Sequence, residues 1–397
     1  MKKVVKVKNK KINIAILGCG VVGGGVYNLC KTSKNVKVLK VLDKRPIKEV
    51  GKLLTYNIDD VLKNDKITLV VETIGGLHPV YEFAKKVIKS GKHFVTANKM
   101  LVGTYGEELL KLAYKHNVGF LYSAGCGGGI PILQNIKHMS NIDDIESVGG
   151  ILNGTTNFIL DKMHSEKIGY LDALKQAQQL GYAENDPSND VEGKDTAYKI
   201  ILSCCVAYNI FINIKDMNVY GISTIKDVDI KYAQQHNTSI RLCGYIDNEN
   251  DKISAVVEPV IVADNSMESS ILKNLNYAWY KCKNCGTFSF IGQGAGRFPT
   301  ASNVVRDILS IQNGVYYFNN KNIKKGKVNN KNIENRYYVR LPKDKQKMIN
   351  DKFIYKTKED SKYVYIITKP ILLTYIHNLL LGKKDCFFAK IDKNVEF

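Results

Sequence analysis

The stretch INIAILGCGVVGGGVYNLC, Ile12 to Cys30, holds the reading that decides the fold. Its first residues are almost all apolar, as in a strand covered on both faces, and the glycines after them open a helical pattern running through Cys30. Between the two, GCGVVG (Gly18–Gly23) fits G-x-G-x-x-G. Gly18 permits the tight turn, Gly20 lets backbone approach a pyrophosphate, and Gly23 allows close packing of helix on strand. The N–H groups at the helix start, from Val21 and Val22, then face the phosphates, where the helix dipole favours an anion. A second strand, VKVLKVLD, ends in Asp43, twenty residues past Gly23. An acid there suits the ribose 2′-hydroxyl of NAD, whereas Lys44 and Arg45 suit the 2′-phosphate of NADP, so both cofactors stay open. The competing reading is a glycine-rich turn in an α/β fold that binds no nucleotide.

Outward from this stretch, strands and helices alternate. ITLVVETIG (Ile67–Gly75) reads as a third strand, with Thr73 near its end among the expected cofactor residues, and a helix follows from about Pro79 to Ser90. HFVTANK (His93–Lys99) reads as a fourth strand, Tyr105–His116 as a helix and GFLYSAG (Gly119–Gly125) as a fifth strand. Such apolar strands separated by helices predict a doubly wound parallel sheet of Rossmann type over residues 1–135, completed by about 300–318. After Pro131 the rhythm changes, and residues 136–300 read as an α+β substrate and dimerisation domain. The polar, lysine-rich 319–335 reads as a linker, and 336–397 as a βαββαβ, ferredoxin-like module.

Composition narrows the function classes. The chain has 397 residues, 44% hydrophobic and 24% charged, with a net charge of +20. That charge is mostly lysine spread along the chain, which is a weak indicator of nucleic-acid binding, and no nucleic-acid partner is expected. No apolar run is long enough to span a bilayer, and the basic start passes into a strand without a signal-peptide core. Nine cysteines at irregular spacing predict reduced thiols and a cytoplasmic enzyme. CKNC (Cys282–Cys285) lacks the second pair that a structural zinc site needs.

GYAENDPSNDVEGKDTAYK (Gly181–Lys199) gathers five carboxylates and runs into the apolar helix Thr196–Tyr208. Asp195 and Lys199, at i and i+4, share one helix face. A surface ion pair is the bland reading, yet the helix is apolar nearly all round beyond Lys199. Carbonyl–hydroxyl interconversion by hydride transfer needs a group for the oxygen's proton and fixed charges to orient a polar substrate. Lys99 lies at the carboxyl edge of the first sheet, where such folds bind their ligands.

Four blocks in this sequence carry a family resemblance: VTANK (Val95–Lys99), GILNGTTNFIL (Gly150–Leu160), GYAENDPSNDVEGKDTAYK and GQGAGRFPTASNVVRDI (Gly292–Ile308). Together they resemble homoserine dehydrogenase over roughly residues 12–312. The resemblance implies NAD(P)-dependent interconversion of L-homoserine and L-aspartate 4-semialdehyde, within threonine and methionine biosynthesis, by a homodimer or homotetramer. It gives Lys199 the role of proton donor and Lys99 that of a second essential lysine. It places Glu184 and Asp195 at the substrate's amino group and reacting hydroxyl or its water. Asp190, Gly154, Thr155 and Tyr182 become further substrate residues, and Gly296 returns to the cofactor. It also implies a monovalent-cation site, Na⁺ or K⁺, at Ser123 and the carbonyls of Cys126, Gly128 and Ile130. Three departures stand out. Ser123 replaces the family's glutamate, which leaves that cation site weak. Leu42 replaces an arginine that would favour NADP. The C-terminal module resembles an ACT domain with a shortened first helix, DKQKMIND, and without the glycine-containing ligand loop. The rival class is a dinucleotide-sensing or nucleic-acid-associated binding protein with dead chemistry; the two lysines and the acidic segment argue against it.

Overall fold

The apolar runs of the first third lie side by side in one parallel sheet. In a computed structural model that describes residues 11–249, 252–316, 318 and 322–397, these runs are β1 (Ile12–Leu17), β2 (Val36–Leu42), β3 (Leu54–Thr55), β4 (Leu69–Glu72), β5 (His93–Thr96) and β6 (Phe120–Leu121). Their order is β3-β2-β1-β4-β5-β6, all parallel. The direction of winding reverses between β1 and β4, which is where a doubly wound sheet opens a crevice at its carboxyl ends. Ile14–Leu17 and Leu69–Val71 are fully buried, so this edge rests on a rigid floor.

Two compact units make up the chain: residues up to Lys137 with Ala295–Lys324, and His138–Gly294 with Lys325–Phe397. In the first, the late helix Arg297–Gln312 packs on the helix Val21–Lys31. A Cβ at Gly25 would come within 2.6 Å of the Arg297 carbonyl oxygen, so the small residue permits the close approach.

One sequence reading needs correcting here. Lys99 does not end a strand; β5 stops at Thr96, and the helix runs Lys99–Lys115 rather than starting at Tyr105. The cause is Asn98, whose side chain accepts the Leu101 N–H at 3.0 Å and caps the helix six residues earlier than the apolar pattern suggests.

The second unit is built on a ten-stranded mixed sheet. Nine of its strands lie in the order Gly286–Gln293, Leu275–Cys282, Ile145–Ile151, Thr238–Glu249, Lys252–Ala263, Phe387–Ile391, Tyr337–Pro342, Tyr363–Thr368 and Ile354–Glu359. Asn218–Val219 pairs beside Lys252–Ala263. Helices Gly154–Glu166 and Lys194–Tyr208 pack against the sheet, the latter closely enough that a Cβ at Gly244 would meet Thr196 and Ile200 at 2.7 and 2.9 Å. The long strands Thr238–Glu249 and Leu275–Cys282 were not expected from sequence; the first is buried over most of its length and shows no alternation.

The C-terminal module has the ferredoxin-like strand order, last-first-third-second. Its first helix is reduced to two 3-10 turns, Lys343–Met348 and Asp351–Phe353. The module continues the same sheet, since Phe387–Ile391 pairs in parallel with Lys252–Ala263 through Val260↔Lys390 and Ile261↔Ile391. The stretch expected as a linker holds the two-residue strands Lys324–Lys325 and Glu334–Asn335, while its residues 319–321 lie outside the described residues. CKNC forms the hairpin turn beside Asp143, whose carboxylate accepts the Asn284 and Cys285 N–H groups at 2.9 and 2.8 Å. No helix among the described residues is long and apolar enough to cross a membrane.

Candidate active site

At the carboxyl edge of β1, β2 and β4 lies a groove of about 520 Å³, lined by Gly18, Gly20, Asp43, Lys44, Arg45, Thr73 and neighbouring side chains. Gly18 has φ +86° and a Cβ there would meet Ile74 at 2.9 Å, so the turn requires glycine. At Gly20 a Cβ would meet nothing within 4 Å, leaving backbone open to an approaching group. Gly23 is the opposite case: its Cβ would fall 2.0 Å from the Gly18 oxygen. Thr73 locks this turn by donating its hydroxyl to the Gly18 carbonyl at 2.7 Å. Val21 and Val22 begin the helix that follows. These features fit a dinucleotide: a turn fixed by glycine, an open backbone, and unpaired N–H groups at a helix start.

Asp43 sits at the end of β2, where it accepts the Cys19 N–H at 2.8 Å and a two-point contact from the Arg45 guanidinium at 3.1 and 3.2 Å. Burial pushes its carboxyl up, but the Arg45 contact and the Cys19 and Arg45 N–H groups outweigh this and bring it down to about 2. The residue is therefore an anion throughout the physiological range. Gly296, φ +120°, caps the helix Arg297–Gln312. The Arg297 guanidinium lies 3.2 Å from where a Cβ on Gly24 would be, which brings a cation beside the nucleotide-binding helix. Sequence reading missed it, and only the packing of the late helix reveals it.

Glu72 was also missed. It is fully buried at the end of β4, accepting the Ile74 and Gly75 N–H groups at 2.7 and 3.0 Å and the Thr96 hydroxyl at 2.5 Å. Burial raises its carboxyl above the ordinary range, against these three hydrogen bonds. Thr96 in turn accepts the Asn98 N–H, and Asn98 donates to the Gly76 carbonyl at 2.6 Å. This chain of contacts ties the β4 and β5 edges together and sets the half-buried Lys99 at the first position of its helix. An acid ending an apolar strand was the available signal.

In the second unit the acidic segment meets the NGTTN turn. Lys199 and Asp195, each 7% exposed, form an ion pair at 2.7 Å. The Lys199 ammonium also donates to the Leu152 carbonyl, which accepts the Asn276 amide at 2.8 Å. Asn153 joins the acids: its Nδ2 donates to Asp190 at 2.7 Å and to Asp195 at 2.8 Å, while its Oδ1 accepts the Thr156 N–H and caps the helix Gly154–Glu166. Gly154 is needed there, because a Cβ would come within 2.7 Å of the Asn274 carbonyl oxygen. The Thr155 hydroxyl donates to the Tyr182 carbonyl at 2.6 Å, and the Tyr182 ring packs 5.0 Å from Phe158. That contact fastens the segment carrying Glu184, which is exposed. The structure thus brings Lys199, Asp195, Asp190, Gly154, Thr155 and Tyr182 together, with Glu184 at the segment's exposed side. Asn153 is the residue that sequence reading overlooked, although an Asn before a helical run is a cap signal.

The expected cation site does not fit a cation well. Ser123 offers no carboxylate, and its N–H and hydroxyl donate to Asp307 at 2.8 and 2.6 Å. Two of the three expected carbonyl ligands, Gly128 and Ile130, accept the Asn303 amide at 2.5 and 3.0 Å. Asp307 also accepts Gln134 Nε2 at 3.0 Å.

Comparison with known proteins agrees with this layout. Residues 131–309 match the family model for homoserine dehydrogenase, and residues 18–123 match that for the homoserine dehydrogenase NAD binding domain. The homoserine dehydrogenase of Bacillus subtilis is 35% identical over 316 residues, covering 76% of this chain and 73% of its own. That of Lactococcus lactis is 36% identical over 319 residues, covering 76% and 74%. Among solved structures, a homoserine dehydrogenase from Thiobacillus denitrificans has a TM-score of 0.86 at 28% identity, covering 96% of this chain and 98% of its own.

Proposed function

The chain belongs to the homoserine dehydrogenase family, and on that premise we propose that it interconverts L-homoserine and L-aspartate 4-semialdehyde with Lys199 handling the proton. Bound NAD(P)H supplies the hydride. In the reducing direction the Lys199 ammonium gives its proton to the aldehyde oxygen as that oxygen gains charge; in the oxidising direction it takes the hydroxyl proton back. Asp195, paired with Lys199 at 2.7 Å, holds the ammonium in place, and Asn153 holds Asp195. Glu184 receives the substrate's amino group, since an ammonium is best met by a carboxylate, and Asp190, held by Asn153 at 2.7 Å, adds a second anion to the site. Lys99, half-buried at the first position of its helix, is the second essential lysine of this reading.

The observation that carries this reading is the Lys199–Asp195 pair at 2.7 Å, which Asn153 and the Leu152 carbonyl hold in one place beside the acidic segment, as a group that passes a proton to a bound substrate must be held. The test is homoserine-dependent reduction of NAD or NADP by wild type and by Lys199→Ala, with cofactor binding followed separately. Failure of the wild type to turn over homoserine with either cofactor would favour a sensing protein.

For the cofactor we propose NAD used at least as well as NADP. Asp43 is an anion at the ribose end and Leu42 offers no guanidinium, while Arg45 is drawn onto Asp43. The nine cysteines, none in a disulfide, suit a reducing cytoplasm. A dimer is proposed through the sheet of the second unit, where Trp279, Tyr245 and Leu275 are only partly covered and Ile291 is 50% exposed.

A further inference from the structure

The loop Cys126–Ile130 joins the 3-10 turn Ser123–Gly125 to the helix Ile132–Met139 at the carboxyl edge of the parallel sheet. Its Gly128 and Ile130 carbonyls converge on one point, because both accept from the same Asn303 amide nitrogen. Asn303 is fully buried on the helix Arg297–Gln312. The other end of its amide accepts Arg306 Nη1 at 2.6 Å. Two acceptors on one side and a guanidinium on the other allow a single orientation of the amide, with nitrogen toward the loop. The Arg306 charge polarises that amide, so the loop carbonyls face the positive end of a charge-assisted chain.

We propose that Asn303, oriented by Arg306, holds the Cys126–Ile130 loop in place of a monovalent cation, so that the loop is set without Na⁺ or K⁺. A cation released from water needs several oxygens at once to replace its hydration shell. Here two of the carbonyls that would serve are spent on N–H donors, and position 123 brings a hydroxyl tied to Asp307 rather than a carboxylate. The two changes belong together: the amide supplies the positive partner the carbonyls require, and the anionic ligand is not needed. This inference uses the family reading only for the expectation of a cation. Its test reads melting rather than turnover, so its failure leaves the Lys199 proposal standing.

The experiment compares thermal unfolding of the full chain in NaCl, KCl and tetramethylammonium chloride at matched ionic strength. The wild type is expected to melt at the same temperature in all three. Asn303→Asp, nearly the same shape, sets a carboxylate against the two carbonyls and creates a hard oxygen site. Its melting temperature is expected to be lower in tetramethylammonium and to rise saturably by a few degrees with Na⁺ or K⁺. A saturable, size-selective rise in the wild type overturns the proposal, as does an Asn303→Asp protein indifferent to all three salts. Should Asn303→Asp not fold, sodium NMR on the wild type decides alone: line broadening that K⁺ displaces contradicts the proposal, and its absence supports it.

Discussion

Asn153 does two things with one side chain, and they separate on mutation. Its Oδ1 caps a helix and its Nδ2 holds Asp190 and Asp195. Asn153→Ala should lose about 1 kcal/mol of stability from the cap. It should also lose roughly tenfold or more in kcat, because a hydrogen bond to a charged group is worth about 1.5–3 kcal/mol. Asn153→Asp keeps the cap but sets a third carboxylate against two others, so it should retain stability better than activity. Urea unfolding beside steady-state kinetics checks the split; equal losses in both variants would make Asn153 structural only. Glu184→Gln should raise KM for homoserine while leaving that for the cofactor unchanged, and an unchanged homoserine KM would remove Glu184 from the substrate site. At this scale the chemistry was legible where spacing carries it, as with Asp195 and Lys199 on one helix face. Asn153 and Leu152 were not legible as a site, because their partners lie some forty residues away in sequence and only folding brings them together.

The elements that position the cofactor edge hang on Glu72. Its carboxyl is raised by burial, so the folded protein holds that proton at a pH where the unfolded chain has released it. Stability from this group is therefore present in acid and is lost as pH rises above the ordinary carboxyl range. Asp229 and Asp307 are raised as well, so the wild type alone does not isolate the effect. The difference between wild type and Glu72→Gln does: in urea unfolding at about pH 5 and about pH 8, the wild type should lose more stability than the variant on going to the higher pH. Parallel behaviour of the two would show that Glu72 does not titrate differently on folding. Within the parallel sheet β1 and β4 were legible from their apolar runs, since burial on both faces leaves few polar positions, and β2 remained legible although Lys37 and Lys40 interrupt its run. The start of the Lys99 helix was not, because the pattern Thr96–Asn98 reads equally as a strand end and as a cap, and the Asn98 contact with Leu101 settles it. Thr238–Glu249 was hidden because its buried stretch carries Thr238, Ser239 and Arg241, which break the apolar run that marks β1 and β4 while leaving no alternation to find.

Across the whole molecule, the C-terminal module is part of a continuous sheet rather than a tail on a tether. Truncation after Asn335 should uncover the edge of Lys252–Ala263 and give poorly soluble protein, whereas a folded, active truncation would show that the module is dispensable. The ferredoxin-like order was legible from element sequence alone; its fusion to the larger sheet was not, because register between distant strands has no local signature. For the cofactor, Asp43 should be discriminating: Asp43→Ser should improve kcat/KM with NADP relative to NAD, and a ratio unmoved by the change would place the ribose elsewhere. The most direct test of the account is homoserine oxidation followed by nicotinamide absorbance in wild type and Lys199→Ala, with NAD(P) affinity measured in parallel. Turnover by the wild type and a loss of about 10²–10⁴ in kcat for the variant, at unchanged cofactor affinity, is the predicted result. A variant with wild-type kcat would contradict it.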